Sequence, residues 1–316
     1  MKSTSFLQAL FLLLFIPLNL RGQDNLSKGD HFAPVNGIKI HYYVSGSGPV
    51  CLVPSPGWGP SIDYLRNSLT PLERFFTIVY YDTRISGQST GPDNPSKYSS
   101  MMFIKDMEAL RKYLKLSKVW LLGHSSGGFQ VLYYAIQHND KLNGIIALSA
   151  FAGLDEVRER EYQAMILKRK DLPGHERGYS ILSGIDKTQY PAGERLQYTL
   201  PFYFHDISKM SDFKKISTSP VSVKAGEYTS ASGLGLENLL PYLHRISVPA
   251  LIVVGDDDFM CDKVSQSDRI AAGIKGSTEL VIKNAGHFSW IEQPDQFYSG
   301  CFGWLRNEGL KEYEKK

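Results

Sequence analysis

The 316-residue sequence predicts an α/β protein: a mostly parallel sheet covered by helices on both faces. Three observations carry the prediction. Short runs of branched and aromatic residues, bounded by turn residues, read as buried strands; helix-period segments lie between them; and one strand runs through Gly123-His-Ser-Ser-Gly127 directly into a helix. Composition agrees, since 42% hydrophobic and 21% charged residues describe an ordinary globular chain and exclude collagen, a disordered chain and a disulfide miniprotein. A formal charge of only +3 argues against a nucleic-acid binder working through a strong basic field.

In chain order, Lys2 precedes an apolar run from Phe6 to Leu20, and Gly22 offers a small residue at a cleavage point. Residues 1–22 read as a secretory signal peptide, because Gln8, Pro17 and Asn19 interrupt the run too often for a spanning helix. Its removal takes Lys2 and Arg21 away, leaves the chain near +1, and implies a secreted or periplasmic protein with no stable membrane insertion. Strands are expected at Ile38–Val44, Val50–Val53, Thr77–Tyr81, Val119–Leu122, Gly144–Leu148, Ala250–Val254 and Glu279–Ile282. Helices are expected at Ile62–Leu69, Met101–Leu116, Gly127–Gln137, Val264–Ala272 and Gln293–Leu310. Residues 151–243 break this rhythm with charged, aromatic-rich and Gly/Ser-rich sequence. So long a loop without structure would be implausible in a compact domain, so a helical insertion is expected there, dividing a body formed by 23–150 and 244–316. Cys51, Cys261 and Cys301 allow at most one disulfide and show no metal-ligand spacing; Cys51 and Cys301 read as small buried hydrophobes.

The Gly-x-Ser-x-Gly pentapeptide makes Ser125 a candidate nucleophile, because a sharp strand-to-helix turn needs small residues around the exposed hydroxyl. Serine is not nucleophilic at neutral pH without a base and a carboxylate to orient that base. The strand Ala250–Val254 exits into Gly255-Asp256-Asp257-Asp258, and the strand Glu279–Ile282 exits towards His287, so both groups would reach the carboxyl edge of the sheet beside Ser125. His124 holds the variable position of the pentapeptide, and His138, His175, His205 and His244 lack a strand-end setting.

Together these segments resemble the α/β-hydrolase family, and within it the proline iminopeptidase-like branch, over residues 36–150 and 244–306. The resemblance lies in Gly123-His-Ser-Ser-Gly-Gly128, in Tyr81-Asp-Thr-Arg-Ile-Ser-Gly-Gln-Ser89, in Gly255-Asp-Asp-Asp-Phe-Met-Cys261 and in Gly286-His-Phe-Ser-Trp-Ile-Glu-Gln-Pro294. It implies an α/β-hydrolase fold with a helical cap at 151–243 and a Ser125, Asp258, His287 triad. Matching the Gly-x-x-Asp pattern selects Asp258 as the acid, with Asp257 the alternative by position, and leaves Asp256, Asp257 and Asp262 otherwise as solvated loop charges. The family's oxyanion segment is represented by Ser55-Pro-Gly-Trp-Gly59, which lacks the usual His and first Gly, and Ile85 stands where a Gly is usual. Pro56 has no amide hydrogen, so the implied oxyanion donors are the backbone N–H groups of Gly57 and Ser126.

The implied substrate is a short peptide or small molecule with a free N-terminus, cleaved without metal or cofactor. Trp58, Glu227 and Glu237 are the expected substrate contacts, the carboxylates for an ammonium group, with Glu156 behind them. A carboxylesterase or lipase-like hydrolase is the alternative within the fold. Epoxide hydrolases and haloalkane dehalogenases resemble the chain less at the elbow, where they carry Asp in place of Ser125. A non-catalytic binding protein on the same fold is the alternative of another class, and the intact Ser, Asp and His set argues against it.

Overall fold

The computed structural model describes residues 25–310; the leader expected over 1–22 lies outside them. The apolar runs form β1 (Gly29–Val35), β2 (Ile38–Gly46), β3 (Val50–Pro54), β4 (Thr77–Tyr81), β5 (Val119–His124), β6 (Leu142–Leu148), β7 (Ala250–Gly255) and β8 (Thr278–Ile282). They make an eight-stranded sheet in the order β1-β2-β4-β3-β5-β6-β7-β8. From β4 to β8 every pairing is parallel, while β1 and β2 pair antiparallel with each other and β2 with β4.

Strand pleating sends alternate residues to opposite faces. Leu52, Val79, Leu121, Ile145 and Ile252 belong to one buried cluster; their neighbours Val53, Ile78, Trp120, Ile146 and Val253 belong to the other. Both sides being covered, the central strands read as unbroken apolar runs. On the first face lie α2 (Ser100–Tyr113), α3 (Ser126–His138) and α9 (Asp268–Gly273), through Ile104, Met107, Val131 and Ile270. On the second lie α1 (Asp63–Arg66) and α11 (Pro294–Trp304), through Leu65, Phe297 and Trp304, with the single turn α10 (Ser289–Glu292) leading in.

Between β6 and β7 the chain forms α4 (Glu156–Lys168), α5 (Glu176–Leu182), α6 (Ala192–Thr199), α7 (Met210–Ile216) and α8 (Val223–Ser232), and no strand forms there among the described residues. Its entry is fixed by polar contacts. Gln266 accepts from the Ala152 amide and donates to the Gly153 carbonyl, both at 2.9 Å, and Arg269 grips Asp155 at 2.6 and 3.0 Å.

Two differences from the expected elements have local causes. Strand β1 was not expected, because its residues alternate exposed and buried as an edge strand's do. The signal was the Asn36-Gly37 dipeptide, whose φ values of 48° and 76° give the tight turn that a two-residue hairpin needs. The helix expected over Ile62–Leu69 shrinks to α1, because Pro71 begins a separate 3₁₀ turn at Thr70–Arg74. All three cysteines are free and buried. Among the described residues no helix is long and apolar enough to cross a membrane.

Leu121 is fully buried in the middle of β5. Leu121→Ala should lower the unfolding free energy by about 2–5 kcal/mol in a urea titration; a loss under about 1 kcal/mol would contradict this packing.

Candidate active site

Strand β5 ends at His124, and the next residue turns the chain sharply: Ser125 has φ 57° and ψ −123°. Its amide donates to the Leu148 carbonyl at 3.0 Å, and its own carbonyl accepts from Phe129 N at 3.1 Å in the first turn of α3. Crowding explains the glycines. A Cβ on Gly123 would lie 2.2 Å from the Gly127 carbonyl oxygen, and one on Gly128 would lie 2.5 Å from the Ala150 Cβ. At Gly127 the nearest atom is 3.3 Å away, so the tightest constraint falls on Gly123 and on Gly128, outside the pentapeptide.

Asp258 follows β7 and His287 follows β8, both buried. His287 Nδ1 lies 2.9 Å from Asp258 Oδ2 and 3.1 Å from Oδ1, while Oδ1 also accepts the amides of Met260 at 2.9 Å and Cys261 at 3.0 Å. Burial opposes charge on Asp258, yet the adjacent imidazole and the Cys261 amide hold its carboxyl below the usual carboxylate range. With Nδ1 facing a carboxylate, the ring keeps its proton there and presents Nε2 as the basic nitrogen. The structure thus brings Asp258 and His287 together; among the described residues no hydrogen bond runs from Ser125 Oγ to the ring.

His124, set aside on sequence grounds, braces this pair. Its Nδ1 accepts from Tyr64 Oη at 2.9 Å and its Nε2 donates to the His287 carbonyl at 3.0 Å. Burial, and then the imidazole of His287 with ring centroids 4.5 Å apart, push the His124 pKa well down, so it stays neutral. Tyr64, Phe288 and Trp290 pack against the His124 ring and Phe288 also against His287, with Phe213 behind Tyr64 and Phe288.

The segment Ser55–Gly59 lies over the elbow. Ser126 Oγ donates to the Pro56 carbonyl, which also accepts from Gln130 Nε2 at 3.2 Å. Gly57 has φ 89°, and a Cβ there would press on Phe103 at 3.0 Å and Leu234 at 3.2 Å, so glycine is required on both counts. Ser126 is the first residue of α3, where backbone N–H groups have no intrahelical partner. Trp58 is 37% exposed. Ile85, in the place of a usual glycine, adopts φ 60°; its side chain packs against the cluster of Tyr98, Phe103 and Leu234 that backs Gly57.

The other carboxylates divide differently from expectation. Asp256 is exposed, as expected. Asp257 instead has its side chain only 14% exposed and pairs with Lys168, Arg169 and His205. Asp262 is buried and accepts from the Ser265 amide at 2.7 Å, capping the turn before α9. Glu237, expected at an ammonium group, accepts from Ser100 Oγ at 2.6 Å at the start of α2, and Glu227 is exposed on α8. Glu156 occupies the first turn of α4.

Glu292 escaped the sequence reading. It is buried, with Oε1 accepting the Asp206 amide at 2.8 Å and Oε2 the Gly286 amide at 2.6 Å, so it joins the histidine segment to the insertion. Its signal was an acid two residues after Trp290, in a segment bounded by the core aromatics Trp290 and Phe297. Asp258, Cys261 and His287 have donor atoms within 4.8 Å of one another, a possible metal set by residue type. The fit is poor, because burial and the charge of Asp258 keep the Cys261 thiol protonated and His287 Nδ1 is committed to Asp258.

The sequence matches the α/β hydrolase fold family over residues 49–294. It is 25% identical over 274 residues to a soluble epoxide hydrolase of Corynebacterium sp. (strain C12), covering 84% of this chain and 92% of that protein. It is 26% identical over 293 residues to a proline iminopeptidase of Saccharolobus solfataricus, covering 86% and 90%. In fold it is similar to the crystal structure of a proline iminopeptidase-related protein from Thermus thermophilus, with TM-score 0.72 and 20% identity over 88% of this chain and 97% of that one.

Burial pushes the Glu292 carboxyl up to about 7, against the amides of Asp206 and Gly286 that favour its charged form. The folded protein therefore holds this proton more tightly than the unfolded chain, and the associated stability is lost as pH rises through that value. The unfolding free energy of the parent minus that of Glu292→Gln should fall by about 2–3 kcal/mol between pH 4.5 and 7.5 and level off above. Parallel pH profiles for the two proteins would contradict the shift.

Proposed function

The chain belongs to the α/β-hydrolase family of hydrolytic enzymes, and from that premise we propose that it is a serine hydrolase working through an acyl-enzyme. One observation carries the reading: Ser125 sits in a strained turn at the head of α3, at the same sheet edge as the buried Asp258–His287 pair. In this reading Ser125 Oγ attacks a carbonyl carbon while His287 Nε2 takes its proton. Asp258 holds the ring through Nδ1 and stabilises the imidazolium. The amides of Gly57 and Ser126 stabilise the oxyanion, the leaving group departs with the proton from His287, and water then releases the acyl group by the same steps in reverse roles.

Within that chemistry we favour an aminopeptidase of the proline iminopeptidase type, supported by the four motif segments and by the similarity to a proline iminopeptidase. A small-ester hydrolase is the second reading. It is favoured by one observation: Glu237 is engaged by Ser100, and Glu227 is exposed on α8. The similarity to a soluble epoxide hydrolase does not carry that activity over, because the elbow presents a serine hydroxyl instead of a carboxylate. The same reading takes residues 1–22 as a leader removed on export.

Ser125→Ala should reduce turnover of both a prolyl amide and a short-chain p-nitrophenyl ester by at least about 10³-fold without changing the melting temperature. A fluorophosphonate should phosphonylate Ser125 Oγ in the parent with loss of fluoride, adding the probe's mass less HF. Retained turnover in the variant would sink the serine mechanism, and the ratio of amide to ester turnover in the parent decides between the two substrate classes.

A further inference from the structure

Asp257 is the residue before the acid of the pair, and its contacts run to the histidine loop and to the insertion. Its amide donates to the Ala285 carbonyl at 2.9 Å, two residues before His287, and so ties the acid loop to the histidine loop. Its carboxylate accepts from Lys168 Nζ at 2.8 Å, Arg169 Nη2 at 2.9 Å and His205 Nδ1 at 3.1 Å, all from the insertion. Arg169 Nη2 donates to the Asp257 carbonyl as well, and Nη1 donates to the Met165 carbonyl at 2.9 Å.

Arg169 is 1% exposed, an unusual state for a guanidinium, which is seldom fully buried unless paired. A buried ion pair of this kind contributes little net stability, but it fixes geometry, because removing one partner leaves the other charged and unsatisfied. The acid loop thus meets the insertion through a contact that tolerates little displacement. The histidine segment meets it close by, where the His287 amide donates to the Tyr203 carbonyl at 2.8 Å.

We propose that Asp257 is a positioning residue that couples the seating of the helical insertion to the Asp258–His287 pair, so that Arg169, though remote from the nucleophile in sequence, helps set the geometry of the base. The proposal rests on the serine-hydrolase reading. It predicts that weakening the joint lowers the rate of chemistry even for a substrate too small to touch the insertion.

The test uses Asp257→Asn, Arg169→Met, Arg169→Lys and the double variant Asp257→Asn/Arg169→Met in the full chain. The readouts are kcat and KM for p-nitrophenyl acetate, the rate of fluorophosphonate labelling of Ser125, and the melting temperature. The expected result is a fall in kcat of about tenfold or more with KM within about twofold, a parallel fall in labelling rate, partial recovery in Arg169→Lys, and a double variant no slower than the slower single one. If a buried substitution prevents folding, Lys168→Gln and His205→Gln, which remove the two more exposed partners, should give a smaller loss of kcat in the same direction. Folded variants with parental kcat and labelling rates would overturn the joint while leaving the serine reading intact. A parent protein that neither turns over the ester nor takes the label would overturn the serine reading, and the joint with it.

Discussion

Ser125 holds a backbone conformation that costs a non-glycine residue about 1–3 kcal/mol and persists only where the surroundings allow the chain no alternative. Those surroundings are specific: no side chain at positions 123 and 128, an amide bonded to β6, and a helix that begins on the next residue. The two residues flanking the turn then bond to different loops. His124 bonds the carbonyl of His287, and Ser126 bonds the carbonyl of Pro56. One strained turn thereby fixes the distance of both neighbouring loops from the serine hydroxyl, so the arrangement is set by short bonds to the elbow and not by the sheet edge alone.

The insertion is attached differently at different points. Arg269–Asp155 and Lys224–Asp93 are partly or largely exposed pairs, of the kind that solvent screening leaves with little effect on stability. Asp63, which accepts from Thr218 Oγ1 at 2.8 Å and from Ser219 Oγ, and the Ser222 amide bonded to the Gly59 carbonyl at 2.9 Å join the far side of the insertion to the body beside the Ser55–Gly59 loop. The buried Arg169–Asp257 contact and the Glu292 bridge lie at the opposite side, against the acid and histidine loops. Loops on both sides of the elbow are therefore in register with the same inserted unit, as expected of a scaffold whose reactive groups all come from loops.

How much of this was legible in the sequence follows from the range of the interactions. Strands β3 to β7 were readable because burial on both faces leaves an uninterrupted apolar run, whereas β1 mixes His31 and Phe32 with Asp30 and needed its Asn-Gly turn to be noticed. Ser125, His287 and the run Asp256–Asp258 were marked because each stands at a strand end, a local signal, and the family resemblance then singled out Asp258 within the run. Asp257 and Glu292 were not, because their roles depend on Arg169 and Asp206, each more than 85 residues away. Arg169 lay in a charged segment that reads as a solvated helix face, and only the packed chain shows its guanidinium enclosed. Glu237 shows the converse: chosen by residue type and location, it is held by a serine 137 positions earlier.

The three cysteines carry one further consequence. Each is buried, and burial raises each thiol well above its ordinary value. Thiol exchange and oxidation proceed through the exposed thiolate, so the folded protein offers an oxidant almost nothing to attack. Its exposure to mispairing is confined to the interval before β3, the loop after β7 and α11 close over their sulfurs, and that makes redox vulnerability in this chain a property of folding rate instead of native structure.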